Sequence, residues 1–172
     1  MKNLSYVGIS FIVLIFGIWA VPKIVAKFKK QELYTVGAVP KFSLTNQNEQ
    51  TISPSDLKGK VYVVEFFFSS CPTICPIMNQ NMKQIQSHFA ANPNFAVVSI
   101  TIDPKTDTPQ VLKQHAEQLR ITSENWHFLT GDQAKIFEIA NKGFNLYAGQ
   151  NNLVAGGFEH SGLMALIDKK GN

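Results

Sequence analysis

The sequence has few cysteines and little net charge once its lysine-rich beginning is set aside. Only two cysteines and four histidines occur among 172 residues, and they are too scattered for a structural zinc site with four local ligands. The formal charge of +4 comes from residues 1–30, which hold five lysines and no acid, so that 31–172 carry 11 basic and 12 acidic residues. No nucleic-acid partner is therefore expected.

Charged side chains are also absent from Leu4 to Val21, a run of 18 residues. A helix that crosses a bilayer needs about 17–25 apolar residues, and Trp19 lies where an interfacial aromatic is favourable. A cleaved signal peptide is the competing interpretation, but the chain offers no small-residue cleavage site after the run. We predict a membrane anchor over 1–22, a basic connector over 23–37 and one domain over 38–172.

The remaining pattern alternates strands and helices, with no internal repeat or low-complexity segment. Strands are predicted near 42–45, 50–53, 61–68, 95–102, 126–130 and 163–168, helices up to about 89 and over 108–119 and 132–143, and a loop or loose hairpin over 144–159. This order predicts an α/β fold with a mainly parallel central sheet flanked by helices. Ligands of such sheets bind beyond the carboxyl ends of the strands.

The two cysteines lie at that place, where the strand 61–68 gives way to a helix. Cys71 and Cys75 are four residues apart, so on a helix they would share one face, and a helix N-terminus favours thiolate over thiol. Thiolates serve both as soft-metal ligands and as redox nucleophiles, so the placement leaves both roles open. The plainer alternative is a pair of buried structural thiols or a simple disulfide. Three intervening residues differ from the two of a thioredoxin-type redox motif.

Four segments, in order, resemble the signature of the Sco/SenC family, copper-binding proteins of the thioredoxin superfamily. They are Phe66-Phe-Phe-Ser-Ser-Cys-Pro-Thr-Ile-Cys-Pro-Ile-Met, Ser99-Ile-Thr-Ile-Asp-Pro-Lys-Thr-Asp-Thr-Pro, Trp126-His-Phe-Leu-Thr-Gly and Phe158-Glu-His-Ser. The resemblance covers about 38–171 and implies a thioredoxin-like fold. Family members usually continue with another strand and a C-terminal helix, which implies either a C-terminally truncated sequence or a sheet without that edge.

The resemblance also implies the ligands. Cys71, Cys75 and His160 correspond to the family's copper ligands, and the chemistry agrees, because two thiolates hold Cu(I) well and an added imidazole suits Cu(II). Asp103 is implied to lie near the metal and to assist copper transfer, although a turn residue beside Pro104 would look the same. For Asp107 we favour a capping role.

The other candidate ligands have ordinary explanations. His88 and His115 fall within predicted helices and His127 within a predicted strand, where histidines are typically surface or boundary residues. Met78 and Met82 recur at helical spacing, which is typical of core positions rather than of copper ligands.

The function implied is that of a copper metallochaperone, a carrier rather than an enzyme, which delivers copper to the dinuclear copper site in a subunit of a respiratory haem-copper oxidase. The alternative is a thiol–disulfide oxidoreductase, with Cys71 and Cys75 as catalytic residues, that keeps oxidase cysteines reduced. A copper or redox sensor is less favoured, since no output domain is evident. Either main role needs reduced cysteines and hence a thiol reductant as a partner.

The location follows the resemblance rather than the charge bias. Four lysines follow the apolar run and one precedes it, which by the positive-inside rule would put the domain in the cytoplasm. Family members carry the domain on the extracytoplasmic side of the cell inner membrane or in the mitochondrial intermembrane space. We expect a single-pass membrane protein with that orientation.

Overall fold

The N-terminal unit of the chain is a long apolar helix. The computed structural model describes residues 2–28 and 34–172, which fall into two compact units, 1–35 and 36–172. Helix α1, Lys2–Phe28, includes Tyr6–Ile24, whose mean hydropathy is 2.1 and whose side chains are almost all exposed. By length and composition this helix could cross a membrane. Part of the predicted connector, residues 29–33, lies outside the described residues.

The second unit is built on a six-stranded sheet with the strand order β2-β1-β5-β4-β3-β8. Its strands are β1 Leu44–Asn46, β2 Thr51–Ile52, β3 Val61–Phe67, β4 Phe95–Thr101, β5 Trp126–Thr130 and β8 Ala165–Ile167. The three central strands β3, β4 and β5 are parallel, whereas β1 joins β5 and β8 joins β3 in antiparallel orientation. The predicted α/β class is confirmed, with a parallel centre and antiparallel edges.

The centre of the sheet is the core of the unit. Strand β3 pairs with β4 over seven positions, from Val61 opposite Phe95 to Phe67 opposite Thr101, and nearly every side chain of both strands is buried. Their β-branched and aromatic residues suit a strand that is covered on both faces. This register places the ends of β3 and β4 side by side at one edge of the sheet.

Three helices follow the parallel strands. Helix α2 spans Cys75–His88, α3 spans Pro109–Gln118, and α4 spans Gln133–Glu138 and continues into a π-helical turn over Ile139–Gly143. The two methionines Met78 and Met82 are buried in α2, as their spacing predicts. Thr108 caps α3 through its hydroxyl, which accepts a hydrogen bond from the backbone N–H of Val111 at 3.4 Å.

The chain between α4 and the last strand forms a separate two-stranded sheet. Strands β6, Ala148–Gln150, and β7, Phe158–His160, pair in antiparallel orientation, with Ala148 opposite His160. We call this segment, 148–160, the hairpin. The sequence predicts a loop or loose hairpin here, and the structure shows the hairpin. The last predicted strand, 163–168, is shortened to Ala165–Ile167.

Candidate metal centre

The cysteine loop connects the buried end of β3 to the start of α2. After Phe67 the chain turns, and the backbone N–H of Cys71 donates to the carbonyl of Phe68 at 3.2 Å. Helix α2 begins only at Cys75, with Pro76 in its first turn, where a missing N–H costs nothing. Cys71 therefore precedes the helix instead of lying one turn back on it. Both cysteines are free thiols, with 8% and 2% of their surface exposed.

The buried carboxylate of Asp107 holds the cysteine loop in place through hydrogen bonds. Asp107 accepts hydrogen bonds from the backbone N–H of Ser69 at 3.0 Å, from the Ser69 hydroxyl, and from the Thr101 hydroxyl. The capping role favoured for Asp107 is therefore wrong, because the helix cap is Thr108 and the Asp107 side chain points into the protein. Its three donors tie the end of β4 to the residues that carry Cys71.

The third residue of the site, His160, lies at the end of the hairpin. His160 ends β7, and its Nδ1 lies 3.0 Å from the carbonyl oxygen of Ser161, so that Nδ1–H donates there and Nε2 keeps its lone pair. Nε2 lies 3.2 Å from Sγ of Cys75. The ring of Phe68 meets the imidazole edge-on, with 5.9 Å between ring centroids. A backbone carbonyl and an aromatic ring thus hold the imidazole with its free nitrogen towards the sulfurs.

The structure brings all three predicted ligand residues together. Sγ of Cys71, Sγ of Cys75 and one ring nitrogen of His160 lie within 4.8 Å of one another. Two sulfurs bound across one metal at about 2.3 Å each stand up to about 4.6 Å apart. The three atoms are therefore close to the separation that a shared metal ion requires.

The two thiols differ in their electrostatic environment. Burial acts to raise the pKa of Cys71, but the backbone N–H groups of Thr73 and Cys75, with side-chain hydrogen bonds, outweigh it and lower that pKa. Burial strongly raises the pKa of Cys75, and the neighbouring Cys71 sulfur adds to the effect. Burial lowers the pKa of His160, which favours the neutral imidazole that a metal needs.

The remaining predicted residues lie outside this cluster. Asp103 is buried just beyond β4, and its backbone N–H donates to the Thr101 hydroxyl at 3.0 Å, but its carboxylate does not belong to the group of ligand atoms. Within the described residues the histidines His88, His115 and His127 are likewise not members of that group. His115 instead stacks on Phe67, with 5.5 Å between ring centroids.

Sequence reasoning missed two buried polar residues near the thiols. Glu65 is fully buried in β3; its Oε1 accepts from the Ser99 hydroxyl at 2.7 Å, while Oε2 has no partner among the described residues. A single acid within an otherwise apolar strand was the signal. Asn79, one turn after Cys75 in α2, is also buried, and its Oδ1 has no hydrogen-bond partner in the described part of the chain. Its spacing from Cys75 was the available signal.

Comparison with known proteins shows the family. The family model described as SCO1/SenC matches residues 30–172. The chain belongs to the SCO1/SenC family. The SCO1 protein homolog of Bacillus subtilis is 38% identical over 108 residues, which are 62% of this chain and 56% of that protein. This SCO1/SenC chain thus spans little more than half the length of that relative.

Solved structures of related proteins share this fold, and one of them contains copper. Bradyrhizobium japonicum ScoI, solved with copper bound, superposes with a TM-score of 0.69 and 25% identity over 78% of this chain and 85% of that one. BsSco, described as a member of the Sco family of cytochrome c oxidase assembly proteins with a disulfide switch, has a TM-score of 0.66 and 32% identity over 78% of each chain. The SCO1/SenC chain therefore has the thioredoxin-like fold that its sequence implies.

Proposed function

We propose that this chain is a membrane-tethered copper metallochaperone that binds one copper ion through Cys71, Cys75 and His160. The observation that carries the proposal is the convergence of the three ligand atoms to within 4.8 Å. Two sulfurs and one imidazole nitrogen form a soft donor set that suits copper in both oxidation states. The copper-bound structure of Bradyrhizobium japonicum ScoI supports the choice of metal.

Delivery would proceed by exchange of one ligand at a time. Cys71 is the more exposed thiol and the one whose pKa is lowered, so an incoming thiolate or imidazole of the acceptor would meet copper on this side. Cys75, with 2% of its surface exposed, would release the metal last. Each step replaces one copper–ligand bond with another, and the copper keeps its oxidation state.

The acceptor we propose is the dinuclear copper site of a respiratory haem-copper oxidase. Support comes from BsSco, which belongs to a family of cytochrome c oxidase assembly proteins. The apolar helix over Tyr6–Ile24 would hold the domain at the same membrane as that acceptor. We place the domain on the extracytoplasmic side of the inner membrane, or in the intermembrane space of a mitochondrion. Asp103, at the edge of the sheet that carries the thiols, would assist transfer from outside the ligand set.

Copper titration of the reduced full-length protein in detergent, without oxygen, tests the ligand set. We expect one Cu(I) per chain, and we expect Cys71→Ala or Cys75→Ala to abolish stoichiometric binding, because one thiolate and one imidazole hold Cu(I) weakly. His160→Ala should weaken Cu(II) binding more than Cu(I) binding. His88→Ala is the matched control, since His88 is exposed at the far end of α2. Stoichiometric Cu(I) binding by Cys71→Ala would contradict the assignment.

A second candidate function is thiol–disulfide exchange, with oxidase cysteines as substrates. The opposite pKa directions of the two thiols favour it, since a nucleophile of lowered pKa beside a protonated resolving thiol is the arrangement of such enzymes. The disulfide switch in BsSco is consistent with a pair that can be oxidised. Reduction of a disulfide-bonded peptide faster than transfer of copper to its reduced form would favour this role, and a separate thiol reductant would restore the pair.

A further inference from the structure

A groove runs along α2 from the metal centre, and no role has yet been assigned to it. It has a volume of about 630 Å³ and is open to solvent. Both Cys71 and Cys75 line it at one end, and His115 and Leu119 line it from the side of α3. A molecule that lies in this groove therefore has direct access to the thiols.

The lining of the groove suits a polypeptide backbone better than a charged small molecule. Its polar side chains are mainly hydroxyls and amides, namely Ser69, Asn79, Gln80, Gln84 and Ser87, and no carboxylate lines it among the residues that the structure describes. Amides and hydroxyls can both donate to and accept from the N–H and C=O groups of an extended chain. The groove therefore matches the alternating donors and acceptors of a peptide segment.

Two buried polar atoms along the groove lack partners. Oδ1 of Asn79 and Nε2 of His115 have no hydrogen-bond partner among the described residues, although Asn79 is only 6% exposed. These two atoms are themselves shielded from solvent, but the Asn79 side chain lines the groove and its amide N–H can donate to an occupant, which favours an occupant with several polar groups.

The position of Lys83 predicts where an acidic side chain of such a peptide would lie relative to its cysteine. Of the described residues that line the groove, Lys83 alone carries a full charge. It follows Cys75 by eight residues of α2, a rise of roughly 12 Å along the helix axis. An extended peptide advances roughly 3.3 Å per residue. A side chain that pairs with Lys83 would thus stand about four residues from one that reaches the thiols.

We propose that the groove docks an extended segment of the copper acceptor, with its cysteine at Cys71 and Cys75 and an acidic side chain about four residues away at Lys83. The proposal deepens the proposed function and rests on it for the identity of the acceptor. It adds a recognition element that lies outside the copper ligands.

Thiol–disulfide exchange with defined peptides tests the docking directly. The probes are two acetylated nonapeptides of Gly and Ser with a central Cys, carrying either Glu or Lys at both ends, each activated as a mixed disulfide with 5-thio-2-nitrobenzoate. Cys71 thiolate attacks the peptide sulfur, the old S–S bond breaks, and the coloured thiolate leaves with the electron pair. The rate of its release is measured with the reduced, metal-free, full-length protein in detergent at low salt.

The Glu peptide should react about fivefold faster than the Lys peptide, since an ion pair with the exposed Lys83 contributes up to about 1 kcal/mol at low salt. Lys83→Glu should reverse this order, whereas Lys113→Glu, on the exposed face of α3, should leave it intact. Asn79→Leu should slow both peptides about fivefold relative to cysteamine activated in the same way, as expected for one lost hydrogen bond. Asn81→Leu, exposed on the same helix, is its control.

Equal rates for the two peptides, or a Lys83→Glu protein that still prefers the Glu peptide, would overturn the proposal. If Lys83→Glu does not fold, the Asn79→Leu variant tests the proposal instead. A ratio of peptide rate to cysteamine rate that is the same in Asn79→Leu and in the wild type would overturn the proposal. Copper stoichiometry is measured separately on the same proteins. Loss of the docking preference with intact Cu(I) binding therefore refutes the groove alone, and absent Cu(I) binding refutes the metal centre.

Discussion

At the scale of single residues, burial changes the acidity of Glu65. Burial raises its pKa to about 7, although the hydrogen bond from Ser99 acts in the opposite direction. The Ser99 hydroxyl is itself held by the Trp126 indole N–H, which donates to it at 3.0 Å. The carboxyl is protonated in the folded protein at pH values where an unfolded chain would have released the proton. Its ionisation therefore opposes folding.

The predicted consequence is a stability that falls with rising pH. The folded state binds more protons than the unfolded state between about pH 4.5 and 7, so the free energy of unfolding decreases across this interval, by up to roughly 3 kcal/mol. Glu65→Gln keeps an acceptor for Ser99 and should remove most of this dependence. Denaturant unfolding of the metal-free protein from pH 5 to 8 measures this pH dependence of the free energy of unfolding.

Glu117→Gln is the control for Glu65, because Glu117 is exposed on α3 and its removal should leave the pH profile unchanged. A Glu65→Gln protein with the same pH profile as the wild type would show that Glu65 does not titrate in this interval.

The residue scale also shows what sequence could and could not predict. Cys71, Cys75 and His160 were predicted through a resemblance in motifs, and the structure brings them together. Asp107 was misassigned because a carboxylate next to a helix start usually caps it. Its partner Ser69 is 38 residues away in sequence, and no local pattern indicates such a contact.

At the scale of elements, the hairpin positions the imidazole through Phe68. Phe68 packs against Phe158 of β7, with 5.7 Å between ring centroids, as well as against His160. A Cβ added to Gly156 would stand 2.7 Å from Cε2 of Phe68. Gly156 has φ +90°, a backbone conformation that favours glycine. The turn of the hairpin thus closes tightly on the ring that supports the ligand.

Gly156→Ala should therefore displace Phe68 and, through it, His160. We expect a loss of about 1–3 kcal/mol in the free energy of unfolding and an altered Cu(II) absorption spectrum, with Cu(I) stoichiometry unchanged. Gly157→Ala is a matched control, because Gly157 also has a positive φ, +77°, but no atom of another described residue beyond its chain neighbours lies within 4 Å of an added Cβ. If both variants change the Cu(II) spectrum equally, backbone strain and not contact with Phe68 is responsible.

Elements with a strong periodic or β-branched pattern were predictable. The central strands 61–68 and 95–102 were located within a residue of β3 and β4, and the start of α3 at Thr108-Pro109 is confirmed by its cap. The short strands β6 and β7, of three residues each, were harder to predict. Residues outside both strands contact them: the Asn141 side chain bonds the backbone of Ala148 in β6, and Phe68 packs against Phe158 and His160 of β7.

At the scale of the whole molecule, the apolar helix α1 is the feature that bears on location. If Tyr6–Ile24 spans a bilayer, the full-length protein should stay with membranes after alkaline carbonate extraction, and a chain lacking residues 2–28 should be released. Protease added outside right-side-out vesicles of an expressing bacterium should digest the domain 38–172. Digestion only after the vesicles are opened would place the domain in the cytoplasm, as the lysine bias alone suggests.

The whole-molecule organisation also explains why the site could be proposed from sequence. Cys75 and His160 are 85 residues apart, and spacing alone does not connect them. Parallel strands that end at one edge of a sheet restrict where ligands can meet, but only the family resemblance selected His160 among four histidines. The groove along α2 had no such motif, and the structure was needed to find it.

The donor set is carried by two separately paired sheets: the sulfurs follow β3 of the large sheet, and the imidazole ends a strand of the small one. Copper changes its preferred coordination geometry with its valence, and the nitrogen, which belongs to the smaller sheet, is the donor we expect to adjust. Reduction or oxidation of the bound ion is thus expected to move the small ribbon while the sulfur pair stays fixed. A spectroscopic label on that ribbon, for example at Leu153, whose side chain is 96% exposed, would report the valence of the cargo.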